Sequence, residues 1–358
     1  MPNFNLTVFP LVFAFLVTVI ATPLSLVVLK KLNIVDDPAK HKHPAMLHTK
    51  PIPRGGGIPL FIGVLVTSIF FLPMTQVIIA TLIAAFFSLL IGVIDDKYDL
   101  SPYLRFVINI LCAVFVVFMG ARIPFITNPL GGVLNFSHLQ IPFLGGGAIN
   151  LLAYAIAVLW IVWVMNMLNW SKGVDGQMPG IVAISAIVIG ILSLRFSHLD
   201  QTSATAATLS FIVAGTSLGF LIFNFYPAKI FPGYGATAIY LVLAVASILS
   251  GAKLATAILV MGVPMTDGFI TITRRILSGK SPFWHDKKHL HHLLLSLGFG
   301  QRRIALFYWI ISAILGALSL VLSSKGKSFA IIMLVILAGG AILFLQYLLR
   351  RTDDKASI

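Results

Sequence analysis

Glutamate is absent from this chain of 358 residues, and all eleven acidic residues are aspartate. Charged residues of both signs together make up only 10%. Such scarcity excludes an ordinary soluble domain, where charge is normally more than twice as frequent. Cysteine occurs once, as Cys112, inside an apolar run. That excludes a disulfide within one chain and any cysteine-based metal site. No internal repeat is visible, so a solenoid or array is also excluded.

What the chain has is apolar length. Apolar residues reach 58% and mean hydropathy is +1.00. They come in long runs, the mark of a chain that crosses a bilayer several times. The fold class expected is an all-α polytopic membrane protein, because a helix satisfies its own backbone in lipid. Eleven spans are expected, at 6–29, 58–72, 76–94, 103–119, 149–165, 180–194, 204–223, 236–249, 252–265, 304–322 and 328–349. The pair around Ser250-Gly251 also reads as one broken helix. The first run lacks a basic leader and a small-residue cleavage site, and reads as a retained span. One membrane domain over 1–350 and a short tail at 351–358 are expected.

The net charge of +14 would suit nucleic acid, but its placement points to a membrane. With alternate loops assigned to two sides, twenty of the 25 Lys and Arg fall on one side. Ten of the eleven Asp fall there too, Asp200 being the exception. The excess of basic residues puts that side in the cytoplasm, with the tail, in a cell inner membrane. Merging the doubtful pair would move the basic loop 266–303 outside, which favours eleven spans. The opposite side has one long loop, 120–148, rich in Gly and Pro, where a small β-hairpin is expected.

Four cytoplasmic loops carry chemistry. The stretch Ile91-Gly-Val-Ile-Asp-Asp-Lys-Tyr-Asp-Leu-Ser-Pro102 ends a span in Asp95, Asp96 and Asp99. Hard oxygen ligands at a membrane surface suit Mg²⁺, which takes one or two carboxylates plus substrate phosphates. The plainer alternative is a solvated helix end. The first loop ends Lys50-Pro-Ile-Pro-Arg-Gly-Gly-Gly57. Glycine amides there would approach an anion closely, with Arg54 and Lys50 gripping phosphate. The alternative is a basic segment bound to lipid headgroups. The fifth span ends Asn166-Met-Leu-Asn-Trp-Ser-Lys-Gly-Val-Asp-Gly176, with Asn166 and Asn169 on one face. Both amides donate and accept, which suits a base, ribose or acetamido group, though Asn at a helix end also serves as a cap.

The loop after the ninth span is the most informative. It runs Arg274-Arg-Ile-Leu-Ser-Gly-Lys-Ser-Pro-Phe-Trp-His-Asp-Lys-Lys-His-Leu-His-His292. Three of nine His fall within four residues, beside several Lys and Arg. That is a concentrated grip for a diphosphate. Zinc is the competing reading, but neither Cys nor an obvious fourth ligand lies nearby. A basic surface loop is the bland one. Asp267 upstream would orient the loop.

Together these segments resemble the polyprenyl-phosphate N-acetylhexosamine-1-phosphate transferases, glycosyltransferase family 4. The resemblance runs from Leu32 to about Arg303, in the family's order. GVIDDKYDLSP looks like its DDxxD loop, PIPRGGG its first cytoplasmic loop, and HLHH its HxHH signature. Asn224 and Pro227-Ala-Lys229 match the approach to a further motif. The WecA/TagO-like branch is closer than the related MraY branch.

The resemblance implies transfer of a sugar-1-phosphate from a UDP-N-acetylhexosamine to a polyprenyl phosphate, releasing UMP. UDP-GlcNAc and undecaprenyl phosphate are the expected pair, and the product would begin a lipid-linked cell-wall or surface polysaccharide. It implies Asp95, Asp96 and Asp175 as catalytic residues and Mg²⁺ ligands, with Asp99 a lesser candidate. His289, His291 and His292 would bind diphosphate. Asn166, Asn169, Lys172, Arg54, Lys280 and Asn224 would contact substrate. The partners implied are both substrates and the bilayer, with no nucleic acid; a homodimer is a further candidate.

Two positions depart from the family pattern. Lys172 stands where the family has the first Asp of NxxNxxDGxDG, and Tyr234 where it has a metal-binding Asp. In the first loop Ala45-Met46 replace a basic pair, for which Lys40 and Lys42 would compensate. The loss of two acids and gain of a lysine would weaken Mg²⁺ binding or make it dispensable. Lys172 is expected against Asp95, Asp96 or Asp175, carrying part of the metal's role. Two other readings stay open: a homologue that binds nucleotide sugar or lipid phosphate without transfer, and a transporter. Polar residues at cytoplasmic helix ends, rather than at mid-membrane, speak against the transporter.

Overall fold

The computed structural model describes residues 6–36, 51–128, 132–136, 140–143, 147–251, 254–284, 286 and 288–356. Lys40, Lys42, Ala45, Met46 and Lys50, read above as part of the first loop, lie outside the described residues.

The chain is a helical bundle. Its helices are α1 (Val8–Lys31), α2 (Gly57–Phe71), α3 (Gln76–Tyr98), α4 (Pro102–Phe118), α5 (Leu151–Trp170), α6 (Gln177–Leu194) and α7 (Gln201–Asn224). They continue with α8 (Thr237–Leu249), α9 (Leu254–Val260), α10 (Gly262–Leu277), α11 (Leu290–Ser296), α12 (Gln301–Val321) and α13 (Ser324–Ala356). A single 3₁₀ turn, Tyr234–Ala236, leads into α8. Among the described residues seven helices are long and apolar enough to cross a membrane, or eight with the bent pair α9–α10. Three shorter apolar helices complete the set. Every expected span thus falls on a helix, and this is a multi-pass membrane protein.

The ninth span differs from its reading. It is broken at Met261, where α9 and α10 meet at 83°. The junction at Ser250-Gly251 is a true turn, with Gly251 at φ +81. A left-handed conformation there suits glycine and separates α8 from α9. Helix α13 runs on through 351–356, the residues expected to form a tail.

Burial sorts the helices into layers. All thirteen residues of α8 are buried, and α6 and α7 are 78% buried over their most apolar windows. Helix α13, at 11%, shows mostly apolar side chains outward. Apolar surface outward is what lipid requires. Inside, hydroxyls bond back to the preceding turn, as Thr18 does to the Ala14 carbonyl and Ser193 to that of Ile189. Others tie helices together: Ser88 meets Thr237 at 2.8 Å, and the Trp160 indole donates to Ser247 at 2.8 Å.

Small antiparallel pairs occur in the loops. β1 (Val35–Asp36) pairs with β2 (Ile52–Pro53). In the long loop β3 (Phe125–Thr127) pairs with β4 (Val133–Asn135), a hairpin where one was expected. A second pair joins β5 (Gln140–Phe143) to β6 (Gly147–Asn150).

Glycine sets the depth of the central packing. A Cβ on Gly57 of α2 would lie 2.2 Å from the Gly235 carbonyl carbon. One on Gly92 of α3 would lie 2.3 Å from Gly235 Cα. So the backbones of α2, α3 and the 3₁₀ turn touch with no side chain between them.

Candidate active site

The end of α3 carries the acids. Asp99 takes a left-handed conformation at φ +50 and stops the helix, its N–H bonding the Asp95 carbonyl at 2.8 Å. Short polar residues tolerate that region better than most. Asp99 itself is exposed. Ser101 and Pro102 then start α4, proline sitting in the first helical turn where its missing N–H costs nothing. This tight return brings Arg105 back onto Asp95.

Each acid of the pair has a fixed cation. One Arg105 terminal nitrogen donates to both Asp95 oxygens, at 3.0 and 2.9 Å, and the Leu100 N–H adds a third bond. Arg54 lies 2.9 Å from Asp96 Oδ1, which also accepts from the Tyr234 N–H at 2.8 Å. Both carboxylates are 0% exposed, whereas Arg54 keeps 26% and Arg105 13%. Asp96 Oδ2 is buried against Gly233 without a hydrogen bond.

Lys172 reaches the same place from the loop between α5 and α6. Its ammonium donates to the Gly233 carbonyl at 2.7 Å, beside Asp96. Burial, then the Arg54 and Arg105 charges, push its pKa down to about 7, against the opposite pull of Asp96 and Asp95. The Tyr234 ring lies within cation–π range of Arg105 (5.0 Å) and Lys172 (5.7 Å), and its hydroxyl accepts from Asn109 at 3.0 Å.

The histidines form a second cluster. The His289 Nδ1–H donates to Asp267 at 2.9 Å, and the other Asp267 oxygen accepts the Leu290 N–H that opens α11. The rings of His289 and His291 stack 5.7 Å apart at 7°, and His292 lies 4.3 Å from His291. Burial, then His292 and His289, hold the His291 pKa well below the usual imidazole range. Trp170 packs on His289, and Arg275 lies over the same indole. Arg275 and Arg274 both bind Asp286, bracing the loop that leads to the histidines.

The loop 171–176 joins the clusters. Lys172 faces the acids while the next residue, Gly173, lies against His291. A Cβ on Gly173 would sit 2.0 Å from His291 Nε2.

Several expected residues stand elsewhere. Asp175 is buried, with one oxygen accepting the Ala228 N–H at 2.9 Å. It tethers the loop to the chain after α7 rather than joining Asp95 and Asp96. Asn224, expected at substrate, is 1% exposed; its oxygen accepts the Gly176 N–H and its amide donates to the Ile230 carbonyl. Lys280 is exposed and covers Trp284 instead of entering the site. Asn166 donates to the Val162 carbonyl within its own helix. Asn169 keeps a buried side-chain oxygen without a hydrogen-bond partner. The Gly55–Gly57 amides are spent on the Phe231 and Pro232 carbonyls and do not face an anion.

The acids do not fit a metal ion as arranged. Among the described residues no three His, Cys, Asp or Glu side chains gather to hold one. Asp95 gives both oxygens to Arg105, and Asp175 is turned to another loop. The sequence reading missed Arg105, ten residues beyond Asp95 at the start of an apolar span. Its only signal was a basic residue in that first turn.

A site with paired acids, fixed cations and a histidine cluster, at helix ends and loops of a membrane protein, has the makings of phosphate chemistry. The model of glycosyl transferase family 4 matches residues 78–251. The chain is 31% identical over 340 residues to the probable undecaprenyl-phosphate N-acetylglucosaminyl 1-phosphate transferase of Bacillus subtilis, covering 92% of this chain and 88% of that one. It is 33% identical over 341 residues to the decaprenyl-phosphate N-acetylglucosaminephosphotransferase of Mycobacterium tuberculosis, covering 86% and 81%. It is also similar, at 28% over 327 residues, to the phospho-N-acetylmuramoyl-pentapeptide-transferase of Moorella thermoacetica, covering 87% and 97%. This chain belongs to glycosyl transferase family 4.

Proposed function

We propose that this protein transfers N-acetylglucosamine-1-phosphate from UDP-GlcNAc to a polyprenyl phosphate at the cytoplasmic membrane face. The terminal phosphate oxygen of the lipid attacks the β-phosphorus of the donor. The bond from that phosphorus to the bridging oxygen breaks, and UMP departs with the electron pair. Such a reaction needs positioning and charge neutralisation more than covalent help from the protein.

One observation carries the reading: loop 171–176 touches both clusters, through Lys172 at the acids and Gly173 at His291. A diphosphate lying along that loop meets Arg54, Arg105 and Lys172 on one side and the histidines on the other. The names of the relatives supply the substrate class. Undecaprenyl phosphate is the acceptor of choice, and the excess of basic residues in the loops supports a pocket on the inner leaflet. Mg²⁺, implied by the family resemblance, has no ready ligand set among the described residues in this arrangement.

The test is the purified chain in nanodiscs with radiolabelled UDP-GlcNAc and undecaprenyl phosphate. The expected result is label in the lipid phase and UMP in the water phase. Donor binding without product would instead support a binding homologue.

A further inference from the structure

The charges of the pocket lie in two layers. The lower layer is acidic: the Asp95 and Asp96 carboxylates are 0% exposed. The upper layer is basic: Arg54 and Arg105 keep 26% and 13% exposure, and Lys172 is half-buried. Asp36 and the exposed Asp99 also act on Arg54 from farther off. Within the pocket, though, both carboxylates are covered by side chains that stay partly exposed, so the groups a diphosphate can reach are Arg54, Arg105 and Lys172.

Metal binding would also have to undo what is in place. Asp95 would have to leave Arg105, which holds both of its oxygens. Asp96 Oδ1 would have to leave Arg54 and the Tyr234 N–H. Its Oδ2 is packed on Gly233, whose carbonyl already holds the Lys172 ammonium. Tyr234 helps the cations coexist, because the negative face of an aromatic ring attracts both Arg105 and Lys172.

We propose that Lys172, Arg54 and Arg105 take the place of a divalent cation at the diphosphate subsite, so that the nucleotide sugar binds there without metal. The assignment rests on the transferase reading of this pocket. Lys172 is central, because its ammonium is held by the Gly233 carbonyl and is not chelated by a carboxylate.

The full chain in detergent is titrated with UDP-GlcNAc by calorimetry, once in EDTA and once in millimolar MgCl₂. The two dissociation constants are expected to agree within about threefold. Lys172→Gln is expected to weaken binding in EDTA by about tenfold or more, as loss of a charge-assisted contact requires. Lys172→Arg is expected to restore most of it. In a second readout, Mn²⁺ added to the protein is expected to keep the electron paramagnetic resonance signal of the free aqueous ion. Binding of UDP-GlcNAc only with Mg²⁺, no binding in either buffer, or stoichiometric loss of the Mn²⁺ signal would each overturn the assignment. Transfer to undecaprenyl phosphate is assayed separately. A preparation that binds donor in EDTA yet forms no lipid product sinks the transferase reading and leaves this assignment standing.

Discussion

One Arg105 guanidinium nitrogen bridges both oxygens of Asp95, at 3.0 and 2.9 Å, with the carboxylate wholly buried. A buried carboxylate is tolerated only because its partner is fixed beside it. Arg105→Met strands that charge and is expected to lower stability by about 3 kcal/mol or more. Asp95→Asn combined with Arg105→Met should recover most of the loss, since neither charge is then left alone. Thermal midpoints of the detergent-purified variants measure this, and a single variant as stable as the parent would count against it.

Lys172 should make donor binding depend on pH. Its pKa of about 7, set first by burial and then by Arg54, leaves the amine largely neutral above neutrality. An anionic diphosphate favours the charged form and raises that pKa. Binding therefore takes up a proton from pH 7 to roughly two units above, and affinity falls as pH rises through that window. Calorimetry in buffers of different ionisation enthalpy reads the uptake. Lys172→Arg, charged throughout, should abolish it.

Asp267 positions the histidines without being placed to touch substrate itself. Its two oxygens hold the His289 ring and the Leu290 N–H at 2.9 and 3.1 Å. Asp267→Ala is expected to raise KM for the UDP-sugar by roughly 10–100-fold, the worth of hydrogen bonds to a charged group. Asp267→Asn keeps an acceptor for one of the two donors and should lose less. Equal KM values in both variants and the parent would show that His289 needs no such support.

Glycine packing gives a structural prediction with two opposite arms. Gly57→Ala drives a methyl to 2.2 Å from the Gly235 backbone, and backbone cannot step aside as a side chain can. A loss of about 3 kcal/mol is expected, the upper end of ordinary overpacking. Gly340→Ala, in α13, meets nothing within 4 Å and should leave the melting temperature unchanged or slightly raised. The same thermal assay reads both.

The spans were legible because a membrane helix announces itself by hydropathy summed over some twenty residues, which averages away local ambiguity. The bend at Met261 was not: α9 and α10 join within one apolar run. The loops were legible as chemistry because scarce residue types gather in them. Their partners were not. The pairing of Asp95 with Arg105 needs the sharp turn at Asp99 and Pro102, and the distance from Asp96 to Arg54 spans two helices. Gly55, Gly56 and Gly57 carried the right signal of close approach but the wrong object, since the approach is to Phe231 and Pro232. Asn224 looked like a ligand contact because an amide that staples two loops carries the same letters as one that reads a sugar.

The bare contact of Gly57, Gly92 and Gly235 has an outcome for how such a protein can diverge. A keel made of main chain offers nothing to repack, so it is inherited whole or lost. Taste for a different sugar has to be written at the rim, in the Lys172 loop and the short histidine helix, where a changed residue alters the guest without unseating the frame.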